Sequence, residues 1–213
     1  MDWHALIASH PALEAIPPEL REAAVCYSTT PGETLFRLGD AVHGMFCVVS
    51  GEVRLIRRAR DGAEIVLQRS RTGFFAEASL GEKAYHCDAV VAEAGMVLRF
   101  PVAAFRTALH RNVTFRESWL AHLAREVRKL RAQCERLSLK SAPQRIIHYI
   151  EAEGTQGSVT LVQSRKAWAA ELGITHEALY RTLRRLQEDN ILQTDGRRIT
   201  LRSSKRALPR KKS

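Results

Sequence analysis

The stretch RKAWAAELGITHEALYRTLRRL, residues 165–186, decides how this 213-residue chain is organised. Ala169 is small where two helices would cross, Gly173 permits a turn, and Ile174 follows as an apolar plug for the junction. Thr175 stands where its hydroxyl can accept a hydrogen bond from the free N–H groups of a second helix. Three leucines then recur at helical spacing: Leu179, Leu183 and Leu186. This pattern is typical of a helix-turn-helix.

The leucine spacing leaves a polar side on the second helix, which we call the reading face: His176, Glu177, Tyr180 and Arg181. Arg181 can donate twice to guanine O6 and N7, and Glu177 can accept from a cytosine amine, each worth about 1–3 kcal/mol of discrimination. We therefore predict that the reading face contacts bases in a major groove. Neighbouring basic residues are predicted to contact phosphates: Lys166, Arg184, Arg185, Arg197 and Arg198.

Two short apolar runs after this helix predict a β-hairpin. Residues 190–194 and 198–201 flank Asp195-Gly196-Arg197, so the motif becomes winged. Helical hairpins with a glycine turn are common outside DNA-binding proteins, so the charge distribution matters. The chain has a net charge of +10, and residues 163–213 hold 13 Lys and Arg against five Asp and Glu. This basicity favours a DNA partner, with residues 203–213 as a flexible basic tail that solubilises the chain or holds phosphates.

The first half of the chain has a β-rich pattern between residues 27 and 100. Short apolar runs are separated by glycines, at residues 45–49, 53–56 and 64–67. The pair Asp61-Gly62 between two such runs is a strong hairpin signal. These features predict strands joined by tight turns in an antiparallel sandwich or small barrel.

From Val102 onward the periodicity becomes helical. We predict a helix from there to Ser141, with a break near Asn112 and with Pro143 ending it. Apolar residues recur along it at the steps of a coiled coil, and we call them the heptad stripe: Val113, Leu120, Leu123, Val127, Leu130, Cys134 and Leu137. The last six form the predicted dimer interface, and the alternative is a helix that packs on its own sheet. A further helix at residues 143–153 opens a second domain.

In this order, the parts resemble the CRP/FNR family of bacterial regulators over about residues 25–202. The resemblance rests on Pro31-Gly32-Glu33, Gly39-Asp40, residues 49–53, the cassette at 73–89, the long helix and the winged helix-turn-helix. It implies an α+β fold and a homodimer, with RNA polymerase as a further partner. The implied parts are an N-terminal double-stranded β-roll of the cyclic nucleotide-binding type at 1–108, a dimerisation helix at 109–142 and a DNA-binding domain at 143–202. Glu177 and Arg181 match the base-reading glutamate and arginine of the family, whereas His176 replaces a frequent arginine.

The cassette departs from the family pattern for cyclic nucleotide binding. That pattern has a glycine followed by a glutamate, and further on three consecutive residues: an arginine, a serine or threonine, and an alanine. In this sequence the first pair reads Ala76-Glu77 and the later three read Cys87-Asp88-Ala89. A cyclic phosphate needs a cation and hydrogen-bond donors, so we expect no control by cyclic AMP. Lys83 and His86 leave open a nucleotide bound in another pose. The candidates for an effector pocket are Glu77, His86, Cys87 and Asp88.

Other functions remain as alternatives. A redox or haem sensor on the same scaffold would use His86 and Cys87, and a cupin-like enzyme would need clustered ligands that the spacing of the histidines does not provide. The four cysteines lie far apart without a CxxC pair, so we predict neither a bound metal nor another cofactor, and no enzyme activity. The start Met1-Asp2-Trp3-His4 is unlike a signal peptide, and no long apolar run follows. We expect a cytoplasmic protein.

Overall fold

The structure, a computed structural model, describes residues 1–60, 62 and 64–202. Asp61 of the predicted hairpin and the predicted tail at 203–213 lie outside the described residues. The chain divides into two compact units, Met1–Ala124 and Arg125–Ser213. Among the described residues, no helix is both long and apolar enough to cross a membrane.

The first unit is a β-roll flanked by helices. Its helices are α1 (Trp3–Ser9), α2 (Pro18–Glu22), α3 (Val102–Arg111) and the start of α4 (Val113–Ser138), with 3-10 turns at Pro11–Leu13 and Glu77–Ser79. Its strands are β1 (Val25–Thr29), β2 (Thr34–Phe36), β3 (Gly44–Arg58), β4 (Glu64–Ser70), β5 (Gly73–Phe75) and β6 (Asp88–Pro101). All pairs are antiparallel, in the order β1-β6-β3-β4, with β2 on β6 and β5 on β3. The predicted α+β fold with an antiparallel roll is therefore confirmed.

The prediction of a tight turn between the runs at 45–49 and 53–56 is wrong. The runs at 45–49 and 53–56 are two halves of the single long strand β3, whose pairing with β6 shifts register between Val48 and Val53. Gly51 has φ +83° at this bulge, and a Cβ there would lie 2.5 Å from the Glu93 carbonyl oxygen. The glycine therefore permits a β-bulge at which the backbone of β6 approaches closely, and it does not form a hairpin turn. A glycine between two apolar runs gives the same local sequence pattern in both cases.

The predicted long helix is two helices, separated at the expected place. Asn112 is extended (φ −108°, ψ 109°), and its side-chain oxygen accepts from the amide of Phe115 at 2.8 Å, which caps α4. Pro143 does not end the helix, because α4 already stops at Ser138. The proline instead lies in the first turn of α5 (Ala142–Glu153), where its missing N–H costs nothing.

The second unit is a winged helix-turn-helix. After α5 come β7 (Ser158–Thr160), α6 (Arg165–Glu171), α7 (His176–Glu188), β8 (Leu192–Asp195) and β9 (Arg198–Leu201). The strands form an antiparallel sheet in the order β7-β9-β8, which confirms the hairpin of the wing. Its core is built around the fully buried Trp168, with Leu179, Leu183 and Leu186 of α7 packed against it. The leucine spacing in the sequence thus marks the buried side of α7.

Candidate nucleic-acid interface

The turn between α6 and α7 has the local geometry expected from the sequence. Gly173 has φ +64°, a conformation that a side chain disfavours. Ile174 packs against the core of the unit. The Thr175 hydroxyl accepts from the Ala178 amide at 3.1 Å, and Ser164 caps α6 in the same way through Ala167 at 3.2 Å. Both helices therefore begin at a side-chain cap, and α7 has a defined starting point and direction.

The reading face lies on the solvent-exposed side of α7. All four of its residues are exposed, whereas Leu179, Thr182, Leu183 and Leu186 are buried on the other side. Arg184 and Arg185 are also exposed and form i,i+4 ion pairs with Glu188 at 2.9 Å and Asp189 at 3.7 Å. Surface pairs of this kind contribute little to stability, so both arginines can exchange their partners for phosphates.

Glu177 is held as a hydrogen-bond acceptor at the first turn of α7. Hydrogen bonds from its own backbone amide and from the Thr175 hydroxyl lower the pKa of its carboxyl group, and the neighbouring His176 contributes in the same direction. The side chain therefore carries a negative charge at neutral pH. An ionised carboxylate can only accept hydrogen bonds, which suits the exocyclic amine of cytosine.

The predicted phosphate contacts lie on α6, α7 and the wing, and all five side chains are exposed. Lys166 lies in the first turn of α6. Arg197 lies in the turn between β8 and β9 and donates to the Val162 carbonyl at 3.5 Å. Arg198 opens β9 and donates to the Ser158 hydroxyl at 3.0 Å.

Arg165 contacts both the reading face and the wing, and no sequence pattern predicted these contacts. Its guanidinium carbon lies 5.7 Å from the centre of the Tyr180 ring, and Nη2 donates to the carbonyl of Gly196 in the wing turn at 3.1 Å. The His176 ring meets the same tyrosine edge-on, with centroids 4.7 Å apart. One side chain thus connects α6, the reading face and the wing. No sequence signal indicated this, because the three segments are separate along the chain.

The heptad stripe of α4 is mostly exposed. Leu120 is 58% exposed, Leu130 is 56% exposed, and Val113, Val127, Cys134 and Leu137 are exposed as well. Leu123 differs, because it is half-buried against the core of the first unit. Phe115 and Trp119, on another face of the helix, are part of the same core. The start of α4 therefore packs on the first unit and leaves the stripe exposed except at Leu123.

The end of α4 is tied to the helix-turn-helix by a buried arginine. Arg136 is 1% exposed, and its guanidinium lies 2.8 Å from Glu153 and 3.7 Å from Glu171 of α6. The guanidinium carbon lies 4.6 Å from the centre of the Tyr149 ring. Arg136 thus links the last turns of α4 to α5 and α6 through charges that are paired where they are buried.

Arg145 of α5 makes a second connection of the same kind. It donates to the carbonyls of Leu137 (3.2 Å), in the last turn of α4, and Leu139 (3.0 Å), just after it. It also donates to the carbonyls of Leu172 (3.1 Å) and Gly173 (3.0 Å) at the end of α6. A single cation therefore satisfies free carbonyls at two helix C-termini, where positive charge is favoured.

The candidates for an effector pocket have separate partners. Glu77 lies 2.8 Å from Nε2 of His122 on α4, and Nδ1 of His86 lies 3.0 Å from the Ser79 hydroxyl. Asp88 accepts from the Leu38 amide at 2.7 Å, and Cys87 is buried. Burial raises the pKa of Cys87 to about 11, which keeps the thiol neutral. Three of the four side chains therefore each have a hydrogen-bond partner outside the candidate set, and the fourth, Cys87, is buried.

The interior of the roll beside this segment is filled by aromatic rings. Phe36 stacks on Tyr85 with centroids 3.7 Å apart, and Phe46 stacks on Phe75 at 5.3 Å. All four rings are buried, and the Tyr85 hydroxyl donates to the Gly44 carbonyl at 2.8 Å. Ala76, at the position of the family glycine, adopts φ +70°. Over residues 1–60, 62 and 64–202, no group of three His, Cys, Asp or Glu side chains is placed to hold a metal ion.

A β-roll, a long helix and a winged helix-turn-helix with an exposed polar recognition helix define the class of DNA-binding transcription regulators with a sensor-type domain. The chain matches the family model of the cyclic nucleotide-binding domain over residues 28–112 and that of the Crp-like helix-turn-helix domain over residues 144–206. It belongs to the CRP/FNR family of transcription regulators.

Individual relatives agree with this assignment. The transcriptional activator protein FnrA of Stutzerimonas stutzeri is 26% identical over 187 residues, which cover 81% of this chain and 75% of that protein. The structure of FixK2 from Bradyrhizobium japonicum is similar at a TM-score of 0.65, with 24% identity, over 84% of this chain and 93% of that one. DNR from Pseudomonas aeruginosa is similar at a TM-score of 0.51, with 25% identity, over 95% of this chain and 96% of that one.

Proposed function

We propose that this protein is a homodimeric, sequence-specific transcription regulator of the cytoplasm that is not controlled by cyclic AMP. The observation that carries the proposal is the reading face of α7, which is exposed, starts at a threonine cap and presents both an acceptor and a bidentate donor. Glu177 would accept from a cytosine amine, and Arg181 would donate to guanine. Membership of the family adds RNA polymerase as the further partner.

The heptad stripe supports the dimer. Leucine and valine side chains that are about half exposed on a helix are costly to hydrate, and a second copy of α4 would remove them from water. A two-fold axis along this helix would present two copies of α7 to major grooves about 34 Å apart, on a site that is roughly palindromic. Within the second unit, Arg136 and Arg145 connect the last turns of α4 to the helix-turn-helix.

The cassette supports independence from cyclic AMP. The position of the phosphate-binding arginine is occupied by Cys87, which is buried and neutral. Glu77 already has a partner in His122, and aromatic rings fill the neighbouring interior of the roll. A cyclic phosphate would therefore meet no cation in the usual place. Equal melting temperatures with and without cyclic AMP, cyclic GMP and cyclic di-GMP are expected, and a rise in melting temperature with any of them would contradict this part of the proposal.

The decisive experiment is selection from a random duplex library by the purified, ligand-free protein at fixed salt concentration. A palindrome is the expected product. Arg181→Ala should then weaken binding at one position of each half-site by about 1–3 kcal/mol while leaving random DNA nearly unaffected. Lys166→Ala is the matched control, because loss of a phosphate contact should weaken binding to all sequences alike. It should also reduce the slope of log affinity against log salt concentration by about one. Sequence-blind binding by the unaltered protein would refute the proposal.

The dimer is tested separately by sedimentation. Leu130→Glu places a charge in the middle of the heptad stripe and should produce monomers. Arg131→Glu, on the next residue but outside the stripe, is the control and should leave the dimer intact. A Leu130→Glu protein that remains dimeric would place the interface elsewhere.

A further inference from the structure

Tyr180 gives the reading face an apolar element that donors and acceptors do not explain. Its side chain is 49% exposed, and it lies between Glu177 and Arg181 on the same side of α7. The interior face of the helix is already filled by leucines, so this ring has no role in the core of the unit. Its spacing of three residues from Glu177 and one from Arg181 places it on the same exposed face of α7 as the groups proposed to contact bases.

The ring is held in place before any DNA arrives. The His176 ring contacts it edge-on at 4.7 Å, with an angle of 76° between the planes. The Arg165 guanidinium lies 5.7 Å from its centre and is anchored by the hydrogen bond to Gly196. A side chain with two rotatable bonds, restrained from two sides, loses little entropy when it binds. This restraint separates Tyr180 from the long flexible side chains around it.

The major groove offers one apolar group to such a surface. Guanine, adenine and cytosine present donors and acceptors there, whereas thymine adds a C5-methyl group that side chains recognise by apolar contact. We propose that Tyr180 is a specificity-determining residue whose ring packs on the methyl group of a thymine in each half-site, beside the base pairs contacted by Glu177 and Arg181. The inference rests on the proposed function and names a third chemical feature of its DNA.

The test uses duplexes that carry the selected palindrome, with deoxyuridine replacing thymine at one symmetric pair of positions at a time. Deoxyuridine pairs like thymine and lacks only the methyl group. At one pair of positions the affinity should fall about 4- to 10-fold per half-site, as expected for one methyl group left unburied. 5-Methylcytosine at that pair should bind better than cytosine by a similar factor, because it restores the methyl group in a different base pair.

Two variants assign the effect to the ring. Tyr180→Ser should bind thymine and deoxyuridine duplexes equally, and Tyr180→Phe should keep the preference because the ring remains and only the hydroxyl is lost. Because Tyr180 is exposed, both variants should fold with melting temperatures close to that of the unaltered protein, and a melting experiment verifies this. A preference for thymine that survives in Tyr180→Ser, or that disappears in Tyr180→Phe, would overturn the inference.

Failure of the inference is distinguishable from failure of the proposed function. If the protein selects a palindrome but binds it equally well with deoxyuridine at every position, Tyr180 does not contact a methyl group, while the regulator still reads sequence. If no palindrome is selected, both are overturned together.

Discussion

Glu52 should contribute substantially to the stability of the roll, since it neutralises three arginines from a buried position. It is 1% exposed, and its carboxylate lies 2.8 Å from Arg54, 2.9 Å from Arg69 and 2.7 Å from Arg71. Arg54 and Arg69 face each other directly across β3 and β4, so without the carboxylate two like charges would stand side by side. Glu52→Gln removes the charge and keeps the shape.

The expected loss is about 2–4 kcal/mol in the free energy of unfolding. Removing one partner of a buried ion pair typically costs about 3–5 kcal/mol, but these arginines are 21–38% exposed and water can partly replace the carboxylate. With a urea dependence of about 2 kcal/mol per molar, the unfolding midpoint should fall by about 1–2 M. Glu93→Gln is the control, because Glu93 is 53% exposed and pairs only with Arg71 among these arginines, so its loss should stay below about 1 kcal/mol.

The same group predicts a pH dependence. Burial opposes ionisation of Glu52, but the hydrogen bond from Arg54 and the charges of Arg71, Arg69 and Arg54 outweigh it, so its pKa is lowered. A lowered pKa in the folded state contributes stability that is complete above the pKa of the unfolded state, about 4.3, and is lost as the pH falls through the pKa of the folded state. The difference between the unaltered protein and Glu52→Gln should therefore be constant at neutral pH and shrink in acid.

Urea unfolding followed by tryptophan fluorescence measures both effects. Hydrogen exchange of peptides from β3 and β4 assigns the transition to the first unit. A Glu52→Gln protein with an unchanged midpoint, or one no less stable than Glu93→Gln, would refute the view that the carboxylate holds the arginines together.

Three further substitutions test individual packing arguments. Gly95→Ala places a Cβ against the Ser50 carbonyl at the β3–β6 bulge and should cost about 1–3 kcal/mol in urea unfolding, whereas Gly81→Ala meets no atom within 4 Å and should be close to neutral. Arg145→Ala frees carbonyls at the ends of α4 and α6, so hydrogen exchange there should speed up and the second unit should lose about 2–4 kcal/mol; unchanged exchange would contradict the clamp. Asn112→Ala should lower the free energy of unfolding by about 1 kcal/mol because the cap of α4 is lost, and Asn112→Asp should keep most of that stability because its carboxylate can still accept from the Phe115 amide.

Local patterns were sufficient for the helix-turn-helix. The turn at Gly173, the cap at Thr175 and the wing around Gly196 each depend on residues close together in sequence, and their conformational preferences act over a few bonds. The leucine period likewise separates the buried side of α7 from the reading face, since a helix repeats every 3.6 residues. The sequence by itself therefore determined the elements of the DNA-reading unit and which face of α7 meets solvent.

Tertiary structure decided what depends on contacts between distant segments. The sequence pattern around Gly51 did not distinguish a bulge from a turn, because the choice depends on the approach of β6 to β3. The separate partners of Glu77 and Asp88 come from α4 and from the loop after β2, far away along the chain. The restraint of Tyr180 by Arg165 is similar, since only the packing of α6 against α7 and the wing brings the guanidinium to the ring. Periodicity reports which way a side chain faces; the three-dimensional path of the chain determines what it meets there.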